Sequence, residues 1–181
     1  LNSMLYSLAS NPKWQQELRE EMLSLNKSSV TFDDLDKLVK TGWTFSEALR
    51  MYPALTSFPR YALRDFEFNG HTIPAHTNVL LSPLLSHYMP EYWSNPTTFD
   101  PLRFSPERAE DKKHFFQYIP FGGGSHKCLG LHFSQVQGKI FLFHLLKNYK
   151  ITKDPKMHSY KYNNVPLTFP TDGLPLTFTK I

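Results

Sequence analysis

Residues 83–127 carry six prolines, Pro83, Pro90, Pro96, Pro101, Pro106 and Pro120, interleaved with Tyr92, Trp93, Phe99, Phe104, Phe115 and Phe116. Prolines at this density prevent any long helix or central strand, and the aromatics are too apolar to be left in water. A connection of this length with little regular structure is rare in a compact domain and usually serves a function. The fold must therefore wrap an irregular, aromatic-rich meander around a regular scaffold. What surrounds it supplies that scaffold. Helices are expected before it, a single long helix directly after it, and short strands on either side.

The first part reads as helical. Leu1, Met4, Leu5 and Leu8 have helical spacing and follow no initiator Met, which reads as the last turns of a helix cut in the middle and makes a fragment the expectation. Asn11-Pro12 opens a helix with Trp14, Leu18, Met22 and Leu25 on one face. Thr31 is placed to cap a short helix with Asp34 in its first turn and Leu35, Leu38 and Val39 turned inward. A further helix is expected from about Trp43 to Tyr52, stopping at Pro53. Alternation over Tyr61–Phe68, an Asn69-Gly70 turn and apolar residues to 82 predict a hairpin and short strands. Beyond Gly122-Gly123-Gly124 a helix is expected to begin near Cys128, with Phe133, Val136, Ile140, Phe143 and Leu146 on its buried face. The tail predicts strands at Tyr149–Ile151, Val165–Phe169 and Leu174–Phe178, with a Thr171-Asp172-Gly173 turn.

Composition narrows the chemistry. The net charge of +4 over 181 residues is no argument for nucleic acid as a partner. No apolar run reaches the roughly 20 residues that a membrane span needs. The single cysteine, Cys128, excludes an intrachain disulfide and a Cys-x-x-Cys metal site. It lies in Phe121-Gly122-Gly123-Gly124-Ser125-His126-Lys127-Cys128-Leu129-Gly130. Three glycines let the backbone take left-handed conformations and approach a large flat object. A loop that turns into a helix gathers unpaired amides and the positive end of the helix dipole, surroundings that stabilise a thiolate.

Five chemistries can be set against this loop. A buried small hydrophobe is the ordinary fate of a lone cysteine. A phosphate loop fits poorly without the Walker spacing. Zinc held by His126, Cys128 and His132 lacks a fourth ligand and leaves the glycines unexplained. A cysteine nucleophile needs a histidine base that the sequence does not single out. Thiolate ligation of haem uses both the glycines and the cysteine.

Phe121, Gly124, Cys128 and Gly130 fill the pattern Phe-x-x-Gly-x-x-x-Cys-x-Gly, and the segment resembles the cysteine loop of the cytochrome P-450 family. Glu47-Ala48-Leu49-Arg50-Met51-Tyr52-Pro53 resembles that family's Glu-Thr-Leu-Arg-Leu-Tyr-Pro signature. Phe99-Asp100-Pro101-Leu102-Arg103-Phe104 resembles its Phe-x-Pro-Glu-Arg-Phe signature, with Leu102 in place of Glu; a second Pro-Glu-Arg at Pro106-Glu107-Arg108 lacks the flanking aromatics.

The resemblance implies a mainly α fold with small β-sheets (α+β), the C-terminal part of the family's single domain. Residues 1–53 would hold helices including the Glu-x-x-Arg helix, 54–82 a β region, 83–127 the meander and cysteine loop, 128–148 the proximal helix and 149–181 the C-terminal strands. It implies a haem b (iron protoporphyrin IX) cofactor with Cys128 as iron ligand and catalytic residue. Phe121, Gly122, Gly124, His126, Gly130 and Arg60 would complete the cofactor site, His126 and Arg60 as propionate contacts. Glu47, Arg50 and Arg103 would form a buried ionic network. Ala54, Leu55, Thr56, Ser57 and Phe58 would line the substrate side, with the Val165–Phe169 region adding to the wall. The implied activity is a monooxygenase inserting one atom of O2 into a hydrophobic substrate. Details such as Gln137-Gly138-Lys139 resemble bacterial and sterol-demethylase-like branches, which implies a lipid or sterol-like compound. Electrons would come from a ferredoxin or flavin reductase, for which Lys112, Lys113, Lys127 and Lys139 could present a basic patch. The location implied for a bacterial protein is cytoplasmic, with any membrane anchor belonging to the N-terminal portion. The expected fragment would lack the distal oxygen-activating helix and be inactive alone. The alternative is a non-catalytic or vestigial haem-binding domain.

Overall fold

A computed structural model describes residues 1–157, 159–164 and 167–181. Four helices make the scaffold: α1 (Asn2–Ser10), α2 (Pro12–Ser24), α3 (Val39–Met51) and α5 (Leu131–Asn148), with a short α4 (Pro83–Tyr88) inside the meander. Leu8, Leu18, Met22, Leu38, Leu142 and Phe143 are fully buried where α1, α2, α3 and α5 meet, and they form one core. No helix among the described residues is long and apolar enough to cross a membrane.

The helix starts show how local signals and tertiary contacts divide the work. Pro12 opens α2, as a residue with no amide hydrogen can at the first helical position. Thr31 and Asp34 form a reciprocal capping box, but they cap a 3-10 turn at Phe32–Lys37 rather than an α-helix. Asp34 is almost fully buried and bonds to Lys27 and Lys37 as well. Helix α3 begins four residues before the expected Trp43, because its cap comes from another helix. Glu21 of α2 accepts from the Lys40 amide at 2.6 Å, the Thr41 amide at 2.9 Å and the Thr41 hydroxyl at 2.7 Å. Val39, expected inward, is the first residue of α3 and is exposed, while Leu38 before it fills the core.

Helix α5 starts at Leu131, three residues after Cys128. Its buried residues are Gly138, Leu142, Phe143 and Leu146; Phe133 and Ile140, expected to be buried, are exposed. Apolar residues surround this helix, and only the face against α2 and α3 is covered. Gly138 sets that approach. A Cβ there would stand 2.8 Å from Phe45 Cε2 on α3, inside any tolerable contact.

Among the described residues, four two-stranded antiparallel sheets complete the architecture. Strand β1 (Phe58–Tyr61) pairs with β4 (Asn78–Leu81), and β2 (Phe66–Phe68) with β3 (His71–Ile73), nested one inside the other. The expected strand over Tyr61–Phe68 is therefore broken. Ala62 turns inward there, exchanging bonds with Thr77 and His76, and Asp65 accepts from the Ala75 amide at 2.7 Å. Asn69 and Gly70 both have positive φ, the conformation an Asn-Gly hairpin turn demands. Strand β5 (Tyr149–Lys153) pairs with β8 (Leu176–Lys180), and β6 (Tyr162–Asn163) with β7 (Phe169–Pro170). The last strand starts at Leu176 rather than Leu174, because Leu174 has φ 53° and Pro175 lacks an amide hydrogen. Of the expected strand at Val165–Phe169, Val165 and Pro166 lie outside the described residues, and of the described three only Phe169 is in a strand.

Gly138→Ala is expected to lower stability by about 1–3 kcal/mol, the usual cost of forcing extra volume into a packed contact. Denaturant unfolding of the full-length protein would measure it. Adding Phe45→Leu, which removes the ring the new methyl meets, should recover part of the loss.

Candidate functional site

Glu47 and Arg50 stand one turn apart on α3, so both point to the same side of the helix. Both are completely buried. Arg50 grips Glu47 with a two-pronged fork, Nε to Oε2 at 2.7 Å and Nη2 to Oε1 at 2.9 Å. Arg103 reaches the same carboxylate from the 3-10 turn Pro101–Phe104, Nε to Oε1 at 3.2 Å. The Asp100 amide donates to Oε1 at 2.9 Å. Arg103 then spends its other hydrogens on the Ser94, Asn95 and Thr98 carbonyls, and its Nη1 meets Glu110 Oε2 at 3.1 Å. These bonds fold the proline-rich meander around one guanidinium. Trp93 is buried on the face of Arg50, 5.3 Å from its centre.

The network is wider than its three sequence-identified members. Glu110 and Arg108 extend it, and Arg108 also meets Asp100 at 2.5 Å. Three arginines (50, 103, 108) thus face three carboxylates (47, 100, 110), so the cluster is electrically balanced. Burial alone would push the Glu110 carboxyl up. The bonds from Arg108, Ser94 and Arg103 outweigh that and hold it down at about 2. Arg108 belongs to Pro106-Glu107-Arg108, so that triplet and Pro101-Leu102-Arg103 both feed one network. Glu110 gave no sequence signal, since it sits in a polar run. His87 gave none either. It is fully buried, and burial pushes its imidazole down to about 4.

The cysteine loop shares a pocket with Phe45, Ser46 and Leu49 of α3. Phe121 accepts from the Cys128 amide at 2.9 Å, closing the loop, and Ile119 accepts from the Gly122 amide at 3.0 Å. Gly122 and Gly124 take φ of 72° and 65°, which other residues adopt only with strain. Gly123 packs flat on Phe116, where a Cβ would be 3.3 Å from the ring. Gly130 has φ −80°, an ordinary conformation, and its missing Cβ would fall 3.7 Å from Cys128 Sγ. Cys128 is a free, exposed thiol. His126 is exposed in the 3-10 turn Gly124–His126. Among the described residues no group of three His, Cys, Asp or Glu side chains could hold a metal ion.

Arg60 lies on exposed β1, and its Nη1 folds back to the Pro59 carbonyl at 2.8 Å. Ala54–Phe58 runs as a partly buried link from α3 to β1. It is held by the Thr168 amide on the Ala54 carbonyl (2.8 Å), the Thr168 hydroxyl on the Pro53 carbonyl (2.7 Å), and the Ser82 hydroxyl on the Thr56 carbonyl (3.0 Å). Lys112, Lys113 and Lys127 are exposed. Lys139 is half-buried and donates to the Leu35 carbonyl at 2.7 Å, in a groove between the Phe32–Lys37 turn and α5.

The thiol is exposed and disulfide-free, and Phe115 and Leu129 are exposed apolar side chains, at 84% and 101%.

The family model Cytochrome P-450 matches residues 1–177. A Mycobacterium tuberculosis protein that carries the name cytochrome P-450 136 is 34% identical over 96% of this chain and 35% of its own length. Human cytochrome P-450 4X1 is 37% identical over 92% of this chain and 32% of its own. A solved structure titled retinoic acid bound cyanobacterial CYP120A1 superimposes with a TM-score of 0.94 and 26% identity, over 100% of this chain and 42% of that one. The chain spans about a third of the length of the curated relatives it matches.

Acid should loosen the site in two stages. An imidazole held below its ordinary value contributes stability that is complete above about pH 6.5 and is lost as pH falls towards 4. A carboxyl held at about 2 contributes stability complete above about pH 4.5 and lost as pH falls through 2. Unfolding free energy of the full-length protein, measured from pH 7 to 2, should fall across both windows. Glu110→Gln should make the lower fall smaller, since Asp34, held down by Lys27, Thr31 and Lys37, still contributes there, and should leave the upper slope in place.

Proposed function

The chain belongs to the cytochrome P-450 family, and on that premise we propose that it is the haem-binding part of a haem-thiolate monooxygenase acting on a hydrophobic substrate. The observation that carries the reading is the exposed Cys128 at the end of a glycine turn that is tied back to Phe121. The donor set fits an iron porphyrin. The sulfur is a single soft ligand, Gly122 and Gly124 turn the loop without side chains of their own, and Phe115 and Leu129 expose apolar surface.

Cys128 would ligate the iron of haem b, with Phe121, Gly122, Gly124 and Gly130 shaping the approach. When bound, the haem supplies the activation of O2 and the oxidation of a substrate C–H bond. The chain's own part is positioning and electrostatics. The closing bond from the Cys128 amide fixes the loop that presents the sulfur. Phe121 would pack beside the sulfur and limit water access. Arg60 and His126 are exposed cations or donors suited to two propionates; Arg60 must first release its own Pro59 carbonyl. Ala54–Phe58 offers small and apolar side chains towards a substrate.

A lipid or sterol-like substrate is supported by that composition and by two printed names: a Sus scrofa relative called taurochenodeoxycholic 6 alpha-hydroxylase, and the retinoic acid bound neighbour. Lys112, Lys113 and Lys127 would present positive charge to an acidic electron donor, a ferredoxin or flavin reductase. Lys139 does not join them, since it is committed to Leu35.

The test is a reduced, CO-bound absorption spectrum of the full-length protein. A thiolate-type band is expected, and Cys128→Ser should abolish it. Glu47→Ala and Arg50→Ala each strand a buried charge, a loss on the order of 3–5 kcal/mol. Both variants should fail to take up haem, and normal loading in either would sink the network assignment. A folded wild-type protein without a thiolate-type band would favour a vestigial domain.

A further inference from the structure

Among the described residues, the ionic network and the loop from Phe121 to Gly130 share no hydrogen bond. His87 joins them. Its ring is fully buried and both of its nitrogens are engaged. Nδ1 lies 3.1 Å from the Arg50 carbonyl, and the Ile119 amide donates to Nε2 at 3.2 Å. A carbonyl only accepts and an amide only donates. The ring must therefore be neutral, with its proton on Nδ1. Arg50 Nη1 donates back to the His87 carbonyl at 2.7 Å, so α3 and α4 clasp each other at this point. The imidazole also lies against the Tyr118 ring, 5.5 Å between centres, and the Tyr118 hydroxyl donates to the Ser46 carbonyl at 3.0 Å. From Ile119 the path continues into the loop. The Ile119 carbonyl receives the Gly122 amide, and two residues on from Ile119 the Phe121 carbonyl receives the amide of Cys128.

We infer that His87 is a positioning residue for Cys128, carrying the placement of the Glu47–Arg50 anchor into the cysteine loop through the Ile119 amide. The inference deepens the haem-thiolate reading and rests on it for its spectroscopic arm alone. A residue that merely filled space would need neither two polar atoms nor a defined tautomer. Hydrophobic replacement would leave the partly buried Ile119 amide without its acceptor, which is costlier than never having made the bond.

The experiment uses the full-length protein and compares wild type with His87→Leu and His87→Gln. Hydrogen exchange is read by mass spectrometry in peptides over Tyr118–Leu129 and over Leu142–Leu146. In His87→Leu the loop peptides should exchange about tenfold faster, the effect of losing one buried hydrogen bond, while the α5 peptides keep their rate. The thiolate-type CO band should also convert to the thiol type faster. His87→Gln keeps an acceptor for the Ile119 amide and should recover most of both. Unchanged loop exchange overturns the inference, as does equal acceleration in loop and helix, or a Gln variant no better than Leu. Should His87→Leu not fold, His87→Asn takes its place: it can keep the Arg50 bond but is too short to serve Ile119, and the same outcomes decide. A haem-loaded wild type lacking the thiolate-type band overturns the haem-thiolate reading and leaves the exchange comparison intact.

Discussion

A single buried carboxylate organises this structure. Glu47 receives four hydrogen bonds, two from Arg50, one from Arg103 and one from the Asp100 amide. A carboxylate with no access to water is tolerable only when its lone pairs are filled. Meeting that demand brings a helix and a distant turn together. Because Arg103 also gathers the Ser94, Asn95 and Thr98 carbonyls, the meander has a defined course without strands or long helices. Its aromatics then pack where the network places them, with Trp93, Phe104 and Tyr118 touching edge to face or tilted.

The scaffold helices serve this arrangement by holding α3 still. Gly138 lets α5 approach Phe45, and Gln15 binds both the carbonyl and the amide of Ile151, tying α2 to the first strand of the C-terminal pair. The cysteine loop is reached last, through side chains and backbone rather than by direct ionic contact.

What could be read in the sequence follows from where each signal resides. The Asn69-Gly70 turn and the Pro12 helix start rest on local patterns that physics ties to one conformation, while the α+β class and the Glu47, Arg50 and Cys128 positions rest on the family resemblance. The places where the structure differs depend on distant partners. Helix α3 starts early because Glu21 caps it from another helix. Phe133 and Ile140 have helical periodicity, but periodicity does not say which face of an apolar helix is covered. Helix α4 was hidden by a proline that turned out to open it, and Ala62 breaks a strand by turning inward. His87, Arg108 and Glu110 sit in unremarkable surroundings; their importance appears only when residues more than thirty positions away, or a folded turn, come to meet them.

The cap that Glu21 provides also has a temporal side. The Glu-x-x-Arg helix has no side-chain cap of its own, so its first turn gains its acceptor only once α2 has docked alongside it. A short isolated helix is marginal in water, and a non-local contact must be closed before it rewards the chain. The anchor residue for the meander thus stands on a helix whose beginning matures with tertiary structure, not ahead of it.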